Sequence, residues 1–192
     1  MLAVVKAFGY GSEAIEVAKF LEGLGVDYFA VAYVSEGVEL RNAGIKSPIL
    51  VLHPQVSNFK KAIEFNLEPS LYSNRVLKAF AELSVKLGLK NYPVHIKFNT
   101  GLNRLGFPHE SSGLIAKSLL QRKSLKIKSI FSHLAASEDL NEKSFTKHQI
   151  EAFDKASKSF GLSYGEMPIR HLSNTSGVLN FPSANYEMVR CG

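Results

Sequence analysis

Residues 2–32 read LAVVKAFGYGSEAIEVAKFLEGLGVDYFAVA, and this stretch decides the fold class. Two β-rich runs, residues 2–5 and 28–32, flank a segment in which Ala14, Val17, Ala18, Leu21 and Leu24 recur at spacings of three and four. Gly25 follows the last of them. Strand, helix, strand, with a crossover of this length, is a parallel βαβ unit. The rhythm continues outward. Further β-rich runs lie at residues 49–52, 94–98, 127–131, 169–172 and 188–190, with a weaker one at 67–69. A second helical stripe is formed by Val76, Leu77, Phe80, Leu83 and Leu87. Ser35, Ser73 and the Glu110, Ser111 pair read as helix starts, and Gly25, Gly44, Gly88 and Gly161 as stops. Eight strands and seven helices predict an α/β fold. It is read as a (β/α)8 TIM-type barrel in one domain over residues 1–192, with a doubly wound open sheet as the alternative.

The composition agrees. Of 192 residues, 45% are hydrophobic and 21% charged, which excludes a disordered or fibrous chain. One Cys, Cys191, excludes a disulfide framework and points to a reducing, cytoplasmic compartment. No apolar run reaches the roughly 18–20 residues that span a bilayer. A formal net charge of +6 leaves nucleic acid or an anionic small molecule open as partner. The run from Arg122 to Lys128 looks like a nucleic-acid patch, but it lacks interleaved aromatics and precedes a strand, so a solvated face is the commoner reading. The six His show no ligand-spaced cluster, so no metal is expected.

In either architecture chemistry sits just after the strands. Lys6 closes the first run, on the same face as Leu2 and Val4. A lysine there can form a Schiff base, although from position alone a solvated strand-end lysine is commoner. In residues 94–99, Val94, Ile96 and Phe98 should face the helices and His95, Lys97 and Asn99 the interior. An edge strand with one wet face is the alternative. Arg104, in the turn after this strand, suits a carboxylate or phosphate. His133 is an acid/base, a ring-stacking partner or a structural histidine. Asn174 and Thr175 open a helical turn after the seventh strand, beside Arg190 and Gly192 after the eighth, where barrels often bind phosphate.

Together these segments resemble the alanine racemase family. The resemblance runs over residues 3–11 (AVVKAFGYG), 28–41 (YFAVAYVSEGVELR), 97–107 (KFNTGLNRLGF), 132–139 (SHLAASED), 171–177 (HLSNTSG) and 188–192 (MVRCG). In phrasing it is most like the racemase part of fused cell-wall ligase–racemase proteins. The resemblance implies a pyridoxal 5'-phosphate enzyme, an isomerase, interconverting L- and D-alanine for peptidoglycan synthesis. It implies that Lys6 carries the cofactor and acts as one proton-transfer base. Tyr10, Asn174, Thr175 and Gly192 would hold its phosphate, His133 would pack on its ring and Arg190 would donate to the ring nitrogen. Arg104 would support the substrate carboxylate and the second base, and Lys97 matches a lysine that can be carbamylated.

The chain departs from the pattern at Ser12, where a His is common, and at Asn99, where an acidic residue is common. Family members also carry a C-terminal β-domain that supplies a tyrosine base to the partner subunit of a homodimer. That domain is missing from these residues, so a barrel truncated at both ends is expected, binding cofactor but racemising poorly by itself. The competing expectation is a single-barrel protein of pyridoxal-phosphate homeostasis, without racemase activity.

Overall fold

The computed structural model describes residues 1–192 as two compact units, Met1–Ser70 with Arg190–Gly192, and Leu71–Val189. The chain begins β1 (Leu2–Val4), α1 (Lys6–Gly11), α2 (Ala14–Gly23), β2 (Tyr28–Val31), α3 (Val34–Asn42), β3 (Ile49–Val51), α4 (Phe59–Glu64), β4 (Glu68–Leu71). It continues α5 (Asn74–Lys86), β5 (Tyr92–Asn99), β6 (Phe107–Pro108), α6 (Ser112–Leu120), β7 (Leu125–Phe131), α7 (Lys143–Tyr164), β8 (Ile169–His171), α8 (Thr175–Asn180) and β9 (Arg190–Cys191).

In the first unit β1, β2, β3 and β4 pair in parallel in chain order, and β9 pairs with the outer side of β1. The strand period of two sorts their side chains. Ala3, Val5, Phe29, Val31, Ile49 and Val51 pack with Ala18, Val38, Leu40 and Ala62 of the helices. Leu2, Tyr28, Ala30, Leu50, Glu68 and Ser70 alternate with them and are buried as well. Burial on both faces is what a parallel sheet requires, and it explains the near-continuous apolar runs. The polar groups on the second face are partnered. Tyr28 donates its hydroxyl to Glu68 at 2.9 Å, and Ser70 donates to the Leu52 carbonyl at 2.9 Å. Burial, and then the Glu68 carboxylate, pushes the Tyr28 hydroxyl far above its ordinary pKa.

In the second unit β5 pairs in parallel with β7, and β7 with β8, while β6 adds to the end of β5. The β5–β7 register shifts between Val94 and His95. Phe98 packs against Phe107 and Phe160 with ring centroids 6.4 and 6.0 Å away. On the alternate positions His95, Ser129 and His171 are fully buried and linked. His95 Nδ1 lies 2.6 Å from Ser129 Oγ, which lies 2.7 Å from His171 Nε2. The His171 ring stacks on Phe131 at 4.7 Å. Helices α6 and α7 approach closely at Gly113, where a Cβ would meet Ser159 Oγ at 2.8 Å.

Several expectations change. There are nine strand segments rather than eight, because β6 is too short to leave a periodic signal. The last strand is Arg190–Cys191, since Met188 and Val189 lie before it. Seven right-handed helices are present as read, but α1 is a left-handed turn. Gly25, Gly44 and Gly88 take positive φ as stops do, but Gly161 lies inside α7, whose stop is Gly165 in the left-handed cap conformation at φ 90°. Ser35 sits inside α3, whose cap position is Tyr33. Ser73 does cap α5, accepting from the Val76 N–H. The basic run joins the start of β7. Lys90, Arg122 and Lys123 line a groove of about 890 Å³ that also holds the C-terminal residues of α6, and cations complement helix C-termini.

Glu22 ties α2 to the segment before β3, accepting from Lys46 N, Ser47 N and Ser47 Oγ at 2.6–2.9 Å. The Ser47 hydroxyl, first, and the Ser47 N–H hold its carboxyl below the usual 4.5. A lowered folded-state pKa stabilises above the unfolded value and is lost as pH falls through the folded one. Thermal midpoints taken from pH 6 to pH 3 should therefore fall less steeply for Glu22→Gln than for the wild type.

Candidate active site

The first unit presents Lys6, Tyr10, Arg190 and Gly192 around the end of β1. Lys6 opens a turn in which Ala7, Phe8, Gly9 and Tyr10 all take left-handed dihedrals, φ 51–64°. Lys6 Nζ lies 5.9 Å from the Tyr10 ring centre. Left-handed backbone costs roughly 1–2 kcal/mol per non-glycine residue, so Ala7, Phe8 and Tyr10 together store several kcal/mol. Glu36 offsets it. Its Oε1 accepts from Ala7 N at 2.8 Å, and its Oε2 from Ala32 N at 2.6 Å and Tyr33 N at 3.0 Å. Hydrogen bonds to a charged acceptor are worth roughly 1.5–3 kcal/mol each. Partial burial raises the Tyr10 hydroxyl pKa.

Arg190 is 4% exposed and pairs in register with Leu2 of β1. Desolvation brings its guanidinium down to about 10. Gly192 is required by space, since a Cβ would stand 2.8 Å from Val4 and 3.1 Å from the Tyr10 ring. Cys191, half-buried between them, is a free thiol.

The second unit presents Lys97, Arg104, His133, Asn174 and Thr175. Lys97 is 7% exposed, with Nζ 4.9 Å from the Phe131 ring centre. His95 and Lys97 are thus buried on the face opposite Phe98, and the wet-edge alternative is discarded. Asn99 Oδ1 accepts from Gly101 N and Asn103 N, and its amide donates to Asn103 Oδ1, so it shapes the loop. Arg104 is exposed in that loop and forms no ion pair. Asn174 caps α8, its Oδ1 accepting from Gly177 N at 2.9 Å and from Ser137 Oγ at 2.6 Å. Thr175 is exposed at the first position of α8.

Sequence reasoning passes over three supporting residues, Glu36, Ser137 and Gln149. Gln149, fully buried on α7, accepts from Ala135 N at 2.9 Å and donates to the His133 carbonyl at 3.2 Å. A glutamine inside the stripe Thr146, Phe153, Ala156 and Phe160 is the signal that could have found it. No three His, Cys, Asp or Glu side chains are grouped to hold a metal ion, and no helix is long and apolar enough to cross a membrane.

Each unit is a set of parallel strands with helices between them, and each carries polar residues at its strand ends: Lys6 and Tyr10 in the first, His133 and Asn174 in the second. The family model for the alanine racemase N-terminal domain matches residues 1–192, and the chain belongs to that family. It is 35% identical over 192 residues to the alanine racemase of Carboxydothermus hydrogenoformans, covering 100% of this chain and 51% of the relative. The alanine racemase of Clostridium difficile 630 in complex with cycloserine matches with a TM-score of 0.93 at 32% identity, covering 100% of this chain and 52% of that one. The Bartonella henselae alanine racemase with covalently bound pyridoxal phosphate matches with a TM-score of 0.87 at 26% identity, covering 99% and 54%. The fold class is therefore the (β/α)8 TIM-type barrel read from the sequence. The chain spans about half the length of the curated relatives it matches.

Replacing Gln149 by Leu strips partners from Ala135 N and the His133 carbonyl. Leaving such buried groups unsatisfied costs roughly 1–3 kcal/mol each. The Ala135 amide should exchange with solvent at least roughly ten-fold faster than in the wild type, read by hydrogen exchange.

Proposed function

We propose that the chain is the cofactor-binding barrel of a pyridoxal 5'-phosphate-dependent alanine racemase. The observation that carries this reading is the turn after β1, which holds Lys6 near the Tyr10 ring and the Tyr10 ring against Gly192 in the first unit. The donor set fits the cofactor: a primary amine, a phenol, a desolvated guanidinium and a backbone at Gly192 that leaves no space for a side chain. When bound, pyridoxal phosphate supplies an electron sink that acidifies the α-hydrogen of an amino acid.

The residues divide the remaining work. Lys6 attaches the cofactor and holds or moves a proton at Nζ on one face of the substrate. Tyr10, Gly192, Asn174 and Thr175 hold the phosphate by hydroxyl, amide and N–H groups. Arg190 donates to the ring nitrogen, and being a guanidinium it keeps its own proton, so that nitrogen stays unprotonated. His133 packs on the ring. Arg104 orients the substrate carboxylate. A carbamate on Lys97 would turn a buried cation into an anion able to pair with a guanidinium.

Inverting a stereocentre needs a base on each face, and Lys6 serves one. The second base comes from the partner subunit of a homodimer. The substrate is alanine, the product serves peptidoglycan synthesis, and the compartment is the cytoplasm.

An absorbance scan with added pyridoxal phosphate tests the reading. The wild type should show a band near the visible edge, and Lys6→Ala should lose it entirely. A wild-type chain without a Lys6-dependent band would falsify the proposal.

A further inference from the structure

We infer that Glu36 is a positioning residue for Lys6, and that its carboxylate sets cofactor affinity by holding the left-handed turn. This rests on Lys6 being the cofactor lysine. Glu36 stands on α3, after β2, and its hydrogen-bond partners, Ala7, Ala32 and Tyr33, are not among the residues assigned to the cofactor. One carboxylate oxygen receives the N–H of Ala7, the first left-handed residue after Lys6. The other receives the N–H groups of Ala32 and Tyr33 at the end of β2. The carboxylate therefore joins the ends of two neighbouring strands, which pair in register from Leu2 with Tyr28 to Val4 with Ala30. Two bonds flank the turn, Gly9 N to Val5 O at 3.2 Å and Ser12 N to Gly9 O at 3.2 Å, and neither reaches β2 or α3. An enclosed space of about 130 Å³, lined by Phe8, Val5, Ala14 and Glu36, leaves part of the turn without packing. Glu36 thus ties the turn to the end of β2 through a charged acceptor, and the direction of the Lys6 side chain follows the turn it holds.

A carboxylate is needed because all three groups facing it are donors. In Glu36→Gln the side-chain oxygen can serve only one side. It goes to Ala32 and Tyr33, where two donors converge, and the new NH2 faces the Ala7 N–H. The turn is then released while β2 and α3 keep their contacts.

Two measurements on the whole chain decide the matter. First, hydrogen exchange without cofactor should show the Ala7 and Gly9 amides of E36Q exchanging at least roughly ten-fold faster than wild type, with β3 amides unchanged. Second, the Lys6-dependent band should titrate with a pyridoxal phosphate Kd at least roughly ten-fold weaker in E36Q, the effect of one lost charge-assisted bond. Glycine has no left-handed penalty, so Ala7→Gly should recover roughly five-fold of that loss in E36Q and change nothing in the otherwise wild-type chain. A general folding defect would instead speed exchange of the β3 amides as well as Ala7. Unchanged exchange at Ala7, unchanged affinity, or no recovery by Ala7→Gly overturns the inference. A wild-type chain lacking the band would sink the cofactor reading instead, and the exchange experiment would still decide the role of Glu36.

Discussion

Parallel strands covered on both faces impose the condition on which both units depend: a polar side chain buried along the strands must find a partner. Tyr28 and Glu68 answer it as a donor and acceptor pair in the first unit. In the second, His95, Ser129 and His171 answer it as a buried chain. Other polar side chains are pushed towards the strand ends and the loops after them, where Lys6, Arg104, His133 and Asn174 lie. The same condition explains why Arg190, buried beside β1, has its affinity for a proton reduced and yet remains a cation near neutral pH.

Strand ends are loops, and loops need holding. The protein uses side chains from the elements that follow. Glu36, in the first turn of α3, holds both the end of β2 and the turn after β1. Gln149, midway along α7, brackets the backbone on either side of Leu134. Ser137 shares Asn174 Oδ1 with the Gly177 N–H and so joins the loop after β7 to the cap of α8. In each case a side chain from a neighbouring element fixes the geometry of a loop at a strand end.

The sequence made the regular part of this plain. Period-two runs located β1, β2, β3, β5, β7 and β8 to within a few residues, and the opposite faces of Phe98 and Lys97 followed from alternation alone. Strand-end polar residues stood out because their surroundings were apolar. What was illegible had physical reasons. Phe107 and Pro108 form too short a strand to show a period. The left-handed turn leaves no mark, since Ala7, Phe8 and Tyr10 are not residues that choose that conformation; a carboxylate 29 positions from Ala7 helps to hold it. Gly161 looked like a stop because it breaks a helical stripe, yet its small size meets Met167 packing against α7. Glu36 hid as an ordinary acidic residue in a helix's first turn, where half of a capping box is expected.

The buried chain His95, Ser129, His171 has a consequence for proton placement. A serine hydroxyl carries one proton and sits between two ring nitrogens. If it donates to His95 Nδ1, then His171 Nε2 must carry a proton and donate to the serine; if it donates to His171, the reverse holds. At most one ring can take the serine proton, so at least one imidazole must donate its N–H to the hydroxyl, and the two tautomers are coupled through it. The three side chains form one coupled element across β5, β7 and β8, with a polarity whenever the hydroxyl donates to one of the rings. Serine is the smallest side chain that can carry that polarity between the two rings, and alanine in its place would leave each ring to choose its tautomer independently.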